Sequence, residues 1–330
     1  MLIDSFGRTI NYVRLSVTDR CDLRCVYCMA EDMTFLPRAE VLSIEELATL
    51  GETFVSLGVT KLRITGGEPL IRRGIIDLLQ RLGQLPGLKE LCLTTNGTHL
   101  PQYAQAIKDA GVDRINISLD SLNPERFRQL TRFGDINQVL DGIKAAQAAG
   151  FKRIKLNCVA LKHYNADEVP ALVQFALDEG LDISFIEEMP LGRIDEHGRA
   201  AEFVSSEELR NAISQYHALQ PAFTKGDDNA GPARYWQASG YHSRIGFISP
   251  HSNNFCSSCN RVRVTATGRL LLCLGQENSV DLREALRTSE NPQQEVRTRI
   301  INAMHYKPEK HTFDLDNEPQ IVRFMNMTGG

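Results

Sequence analysis

Apolar and polar residues alternate with a period of two along residues 12–18, where Val13, Leu15 and Val17 oppose Arg14, Ser16 and Thr18. Successive strand residues point to opposite faces, so this pattern predicts a strand with one apolar and one polar face. The same split recurs at 61–65, where Leu62 and Ile64 oppose Arg63 and Thr65, at 114–119 and at 153–160. Further strand-like runs lie at 91–95 and 182–187. The gaps read as helices. Ser43 can cap one of them while Glu46 completes a capping box, and Leu47, Leu50, Phe54 and Leu57 give it an apolar stripe at helical spacing. Asn123 opens another, with Pro124 at the first helical position, where a missing N–H costs nothing.

Regular alternation of strand and helix predicts parallel strands joined by right-handed crossovers. Six such units predict an α/β fold built on an open or partial (βα)6 barrel rather than a closed ring of eight. The apolar strand faces must meet the helices, which turns Arg14, Arg63, Asn116, Ser118, Asp120, Lys155 and Asn157 toward the lumen. A closed barrel normally fills its lumen with branched apolar side chains. Here the pattern predicts a polar cavity with room for a charged ligand. A two-layer antiparallel sheet with its polar face in solvent is the other arrangement, and the intervening helices count against it.

Composition narrows the reading. At 330 residues the chain has length for roughly two domains of about 150 residues. With 42% hydrophobic and 24% charged residues it has the makings of an ordinary core. A net charge of −4 offers no bulk field for nucleic acid or a membrane, so an anionic ligand has to be gripped by a local cluster of cations. The N-terminus carries no apolar signal segment and no stretch reads as a membrane span. The eight cysteines are therefore expected reduced, in the cytoplasm. Residues 226–232 read as a flexible connection, which divides the chain into 1–225, the barrel, and 226–330, a smaller domain.

Six of the cysteines fall into two triplets, Cys21, Cys25 and Cys28 just after the first strand, and Cys256, Cys259 and Cys273 near the end. Structural zinc wants four closed ligands, whereas an iron-sulfur cube held by three cysteines keeps one iron open. Two metal centres, each with an open position, follow from that reading. For the second triplet a zinc ribbon stays open, with His251 or another residue as a fourth ligand. Cys92 and Cys158 read as small buried apolar residues.

The run Cys-Asp-Leu-Arg-Cys-Val-Tyr-Cys, with Tyr27 before its last cysteine, resembles the signature of radical S-adenosylmethionine enzymes, and Gly66-Gly67-Glu68-Pro69 after the second strand resembles the loop that receives the amino end of the cofactor's methionine. The second triplet, followed by Asn260-Arg261-Val262-Arg263-Val264, is similar over nearly the whole chain to the GTP 3′,8-cyclase family, which opens molybdenum cofactor biosynthesis. That resemblance implies two [4Fe-4S] clusters, each on one cysteine triplet, with the second carried by the C-terminal domain. It implies cofactor contacts at Tyr27, Gly67, Ser118 and Met189, and GTP contacts at Arg14, Arg63, Thr94, Lys155, Arg261, Val262 and Arg263. It gives Arg261, Arg263 and the terminal Gly329 and Gly330 roles in the reaction, the diglycine entering the active site. It also implies an electron donor, which the sequence leaves unidentified, and a cyclic pyranopterin monophosphate synthase that takes the product. Nothing in the sequence marks a dimer face, and a homodimer stays open.

Two rivals stand beside this reading. A peptide-modifying radical enzyme would carry a peptide-binding region before the barrel, where this chain has eleven residues. A zinc-bearing module that reads RNA or protein would bring a broad basic footprint, which the acidic net charge denies.

Overall fold

A short hairpin, β1 (Leu2–Ile3) against β2 (Thr9–Ile10), leads into six strands separated by helices. They are β3 (Tyr12–Ser16), β4 (Lys61–Thr65), β5 (Glu90–Thr95), β6 (Arg114–Ser118), β7 (Ile154–Ala160) and β8 (Asp182–Glu187). Between them lie α1 (Ile44–Ser56), α2 (Ile75–Gly83), α3 (Leu100–Asp109), α4 (Pro124–Thr131) with α5 (Ile136–Ala148), and α6 (Val169–Asp178). The structure, a computed structural model, describes residues 1–192, 194, 198–222, 231–315 and 321–329. Gly330, the expected boundary at 225/226 and most of the 226–232 connection lie outside the described residues.

The local signals work as their chemistry requires. Ser43 accepts from the Glu46 N–H while Glu46 accepts from Ser43, closing the capping box of α1. Asn123 accepts from the N–H groups of Glu125 and Arg126 at the start of α4. Leu47, Leu50 and Phe54 of α1 are fully buried and belong to one core with Val13, Leu15, Leu62, Ile64, Ile115 and Ile117. Burying each side chain of this size stabilises the fold by about 1.5–3 kcal/mol, enough in sum to fix the strand faces. The first strand stops at Ser16, short of residue 18, because the chain turns there: Val17 still donates to Thr65 O at 2.9 Å, while the Thr18 carbonyl accepts from Gly67 at 2.8 Å.

The C-terminal third continues the same sheet instead of forming one of its own. After α7 (Arg199–Glu202) and α8 (Ser206–Ser214) come β9 (Leu219–Pro221), β10 (Arg234–Ala238), β11 (Arg244–Ile248), β12 (Arg261–Val264), β13 (Arg269–Leu271) and β14 (Ser279–Asp281). The sheet order is β14-β13-β12-β3-β4-β5-β6-β7-β8-β11-β10-β9. β11 adds in parallel to β8 and β12 adds in parallel to β3. The parallel run therefore extends past the six expected strands on both sides, and both edges of the barrel sheet are capped by strands from the C-terminal third. Bare edges would be templates for unwanted pairing. α9 (Leu282–Thr288), α10 (Pro292–Ala303) and α11 (Met325–Thr328) complete the chain. No helix among the described residues is long and apolar enough to cross a membrane.

Candidate active site

Two cavities open on the polar face of the sheet. The first is lined by Cys21, Cys25 and Cys28, by Gly66 and Gly67, and by Ser118. The cysteine loop leaves the C-terminal end of β3, and the Gly66-Gly67 loop leaves the same end of β4. A Cβ on Gly67 would stand 2.2 Å from the Arg20 carbonyl oxygen, so only glycine lets the two loops lie against each other. Glu68 accepts from the N–H groups of Leu70 and Asn96 and from the Thr95 hydroxyl, tying the second loop to the end of β5. Tyr27 donates its hydroxyl to Asp120 Oδ2 at 2.6 Å, while Asp120 Oδ1 accepts from Val159 N–H at 2.8 Å. Burial lifts the Asp120 carboxyl to about 6, with both hydrogen bonds pulling the other way.

The second cavity is lined by Cys256, Cys259 and Cys273 and by seven cationic side chains, Arg14, Lys61, Arg63, Arg114, Lys155, Arg261 and Arg263. Strand register aligns them. Arg263, Arg14 and Arg63 are Cα partners across β12, β3 and β4, with Arg261, Tyr12 and Lys61 forming a parallel row. Like charges side by side in a sheet repel. Some of that repulsion is offset from behind, since Glu90 pairs with Lys61 at 2.6 Å and with Arg114 at 3.2 Å. Tyr12 accepts from Arg63 Nε at 2.7 Å. Burial would raise the Tyr12 phenol, but Arg63, Arg14 and Lys61 outweigh it and bring it down to about 8. Burial, reinforced by Arg63, lowers the Lys155 ammonium to about 7, and burial lowers Arg14 to about 10. No carboxylate is among the described lining residues. In a chain of net charge −4 this is a concentrated positive hollow, suited to a polyanion.

The two cavities meet at Asn157, Ile186, Met189 and Met325, which line both. The expected GTP contacts Arg14, Arg63, Lys155, Arg261 and Arg263 all lie in the second, and Val262, buried between the last two, borders it as well. Thr94 is the exception. It lines the cavity of the first triplet and is linked to the second by Arg63, which donates to its hydroxyl at 3.2 Å. Met189, expected at the cofactor, stands at the junction, whereas Tyr27, Gly67 and Ser118 are confined to the first cavity. The tail enters the barrel. Gly329 has φ +71°, its carbonyl accepts from Arg263 Nη1 at 2.5 Å, and a Cβ there would collide with the Thr65 hydroxyl.

Several residues in and behind these walls were not expected as contacts. Asn116 and Asn157 each bury an Oδ1 with no partner among the described residues, the signature of a wall that awaits a polar ligand. Behind the wall, outside the lining itself, Lys307, 3% exposed, donates to the Leu272 carbonyl at 2.6 Å and reaches Cys259 Sγ at 3.6 Å. Alternation placed the two asparagines on the lumen face without distinguishing them from other lumen residues, and nothing local in Tyr306-Lys307-Pro308 signals a neighbour of the second triplet.

The first donor set, three thiols on one short loop lining one cavity, fits an iron-sulfur cube with one open iron. Among the described residues no three His, Cys, Asp or Glu side chains converge as ligands of one metal ion. Zinc needs its thiolates at about 2.3 Å from one centre, whereas a cube spreads them over separate irons. His251 is not among the described residues that line the cavity of the second triplet, and its Nε2 sits 2.9 Å from the Glu188 carbonyl. Burial pushes the Cys25 thiol well up and the Cys28 thiol to about 12, so these sulfurs become thiolates only beside a strong positive charge of the kind a cluster's iron brings. Burial also raises Cys259, but Arg261 and Lys307 outweigh it and bring that thiol down to about 7.

Comparison with known proteins agrees with this geometry. Residues 15–176 match the Radical SAM superfamily, and residues 181–313 match Molybdenum Cofactor Synthesis C. A GTP 3′,8-cyclase of Saccharophagus degradans is 60% identical over 329 residues, covering 100% of this chain and 98% of the relative. One of Pseudomonas entomophila is 58% identical over 330 residues, with 100% and 98% covered. Among solved structures, SuiB of Streptococcus suis bound to S-adenosylmethionine aligns with a TM-score of 0.62 at 14% identity, over 97% of this chain and 77% of that one, a likeness of fold alone. With both domains in this order and relatives more than half identical along its whole length, the chain belongs to the GTP 3′,8-cyclase family of the radical S-adenosylmethionine superfamily.

Proposed function

We propose that this chain converts GTP to 3′,8-cyclo-7,8-dihydroguanosine 5′-triphosphate, joining ribose C3′ to guanine C8 in the first step of molybdenum cofactor biosynthesis. The observation that carries the reading is the pair of abutting cavities, one walled by the first cysteine triplet and the Gly66-Gly67 loop, the other by the second triplet and the cationic rows. Cys21, Cys25 and Cys28 would hold a [4Fe-4S] cluster, which with bound S-adenosylmethionine supplies a 5′-deoxyadenosyl radical able to take hydrogen from the unactivated C3′ position.

The chain's own part is binding and orientation. Gly67 lets the cofactor loop lie flat on the cysteine loop, Ser118 and Met189 line the cofactor's side, and Asp120 holds Tyr27 in place. Arg14, Arg63, Lys155, Arg261 and Arg263 take the triphosphate. It brings about four negative charges, and each close pair contributes roughly 4 kcal/mol before desolvation at an effective dielectric of about 20. Planar guanidinium forks match phosphate oxygens better than a point charge does. Thr94, held by Arg63 between the cavities, is the threonine assigned to GTP. The second triplet is assigned a second three-cysteine cluster facing the purine. Gly329, anchored by Arg263, helps close the lumen, and Gly330 is assigned a role in the reaction beside it. Enclosure keeps water and stray hydrogen donors from the radical. The eight free cysteines suit the cytoplasm, with an electron donor upstream and a cyclic pyranopterin monophosphate synthase downstream.

The test is anaerobic turnover of the iron-reconstituted protein with S-adenosylmethionine, a strong reductant and either GTP or ATP. 5′-Deoxyadenosine is expected with GTP, in step with a cyclised GTP product. Equal slow cleavage with both nucleotides would reopen the substrate assignment, and no cleavage with clusters intact would overturn the reading.

A further inference from the structure

The cofactor cavity contains a polar atom that neither the cysteine motif nor the glycine loop supplies. Asn326, in α11, is 1% exposed and lines the cavity of Cys21, Cys25 and Cys28. Two contacts fix it there. Its Nδ2 donates to the Asp19 carbonyl at 2.8 Å, and the neighbouring Met325 N–H donates to the Cys28 carbonyl at 3.3 Å.

A carbonyl oxygen can only accept, so the NH2 end of the Asn326 amide is the end that faces Asp19. Its Oδ1 is left buried, without a hydrogen-bond partner among the described residues. An amide oxygen buried bare is costly, and a donor arriving with a ligand removes the penalty. The neighbourhood selects the donor. The Asp19 carbonyl that holds Asn326 also lies 2.9 Å from where a Gly67 Cβ would stand, so Asn326 adjoins the glycine loop as well as Cys28. S-adenosylmethionine carries donors on its α-amino group, its ribose and its adenine, and the amino-acid end is the one that belongs beside the cysteine triplet and the glycine loop.

We propose that Asn326 is a cofactor-binding residue whose Oδ1 accepts an N–H hydrogen bond from the α-amino group of S-adenosylmethionine. The inference rests on the reading above that seats S-adenosylmethionine in this cavity. It places a residue from the last turn of the chain, more than three hundred positions from Asp19, in direct contact with the cofactor.

The test is anaerobic equilibrium binding of S-adenosylmethionine and of its analogue lacking the α-amino group, to the iron-reconstituted full chain and its Asn326→Ala variant. Loss of one buried N–H···O bond predicts that the variant's Kd for S-adenosylmethionine rises by about tenfold while its Kd for the deaminated analogue stays at the wild-type value. Equal affinity of both proteins for S-adenosylmethionine would overturn the proposal. So would an equal loss for both compounds, which would mark a packing role. If the wild-type protein binds no S-adenosylmethionine, the cavity assignment itself falls. A second measurement needs no variant: hydrogen exchange at the Met325–Thr328 amides of the wild-type protein should slow several-fold with saturating S-adenosylmethionine and less with the deaminated analogue. Identical exchange with and without either compound would count against the contact.

Discussion

Lys155 illustrates how much of this site is decided one side chain at a time. Burial and the nearby Arg63 hold its pKa at about 7, against an ordinary 10.5, so near neutral pH half of the free enzyme lacks that charge. A triphosphate favours the charged form and draws a proton in. GTP affinity should therefore fall with rising pH above 7, by up to about tenfold per pH unit, and the Lys155→Met variant should bind weakly with a flatter profile. Titration calorimetry in buffers of different ionisation enthalpy would show proton uptake by the wild type near pH 7.5; its absence would count against Lys155 as a phosphate ligand. Stability without ligand has the opposite sign. Between pH 7 and 10.5 the unfolded lysine keeps the proton that the folded one has released, so this group makes the free protein more stable as pH rises through that window.

At the scale of elements, the consequential feature is the addition of β12 to β3 and of β11 to β8. A fragment comprising residues 1–222 would contain all six expected strands with two bare parallel edges. Such edges recruit one another, so the fragment should self-associate where the full chain stays dispersed, as read by light scattering at matched concentration. A monodisperse, cooperatively melting fragment would contradict this. The same feature separates what was legible in the sequence from what was not. The six barrel strands were legible to within about two residues, as were the caps Ser43 and Asn123, because alternation and capping are local. The lumen positions of Arg14, Arg63, Ser118 and Lys155 followed from the same alternation. Strand pairing is not local. Nothing in the run from Arg244 to Ile248 says which strand it will join, and Arg261–Val264 stood out for its arginines before it stood out as an edge of the barrel. Lys307 and Asn326 were invisible for the same reason, since each acquires its meaning only beside a cysteine far away in the chain.

For the whole molecule, the tail spans both halves of the site. Met325 lines both cavities, Asn326 is fixed beside the first triplet, and Gly329 is held by Arg263 in the second. Deleting Gly329 and Gly330 should lower cyclisation by roughly a hundredfold, the scale of loss when a positioned group is displaced by about 1 Å, while iron content, visible absorbance and melting behaviour stay at wild-type values. Full activity in the truncated protein would remove the tail from the reaction. The pairing of β12 with β3 carries a further consequence, for synthesis in the cell. At 5–20 residues per second, Tyr12–Ser16 leaves the ribosome roughly ten to fifty seconds before Arg261–Val264 has been made. Throughout that interval the nascent chain carries an open edge that β12 covers in the finished fold, so the hazard of stray strand pairing is concentrated in the time before synthesis ends.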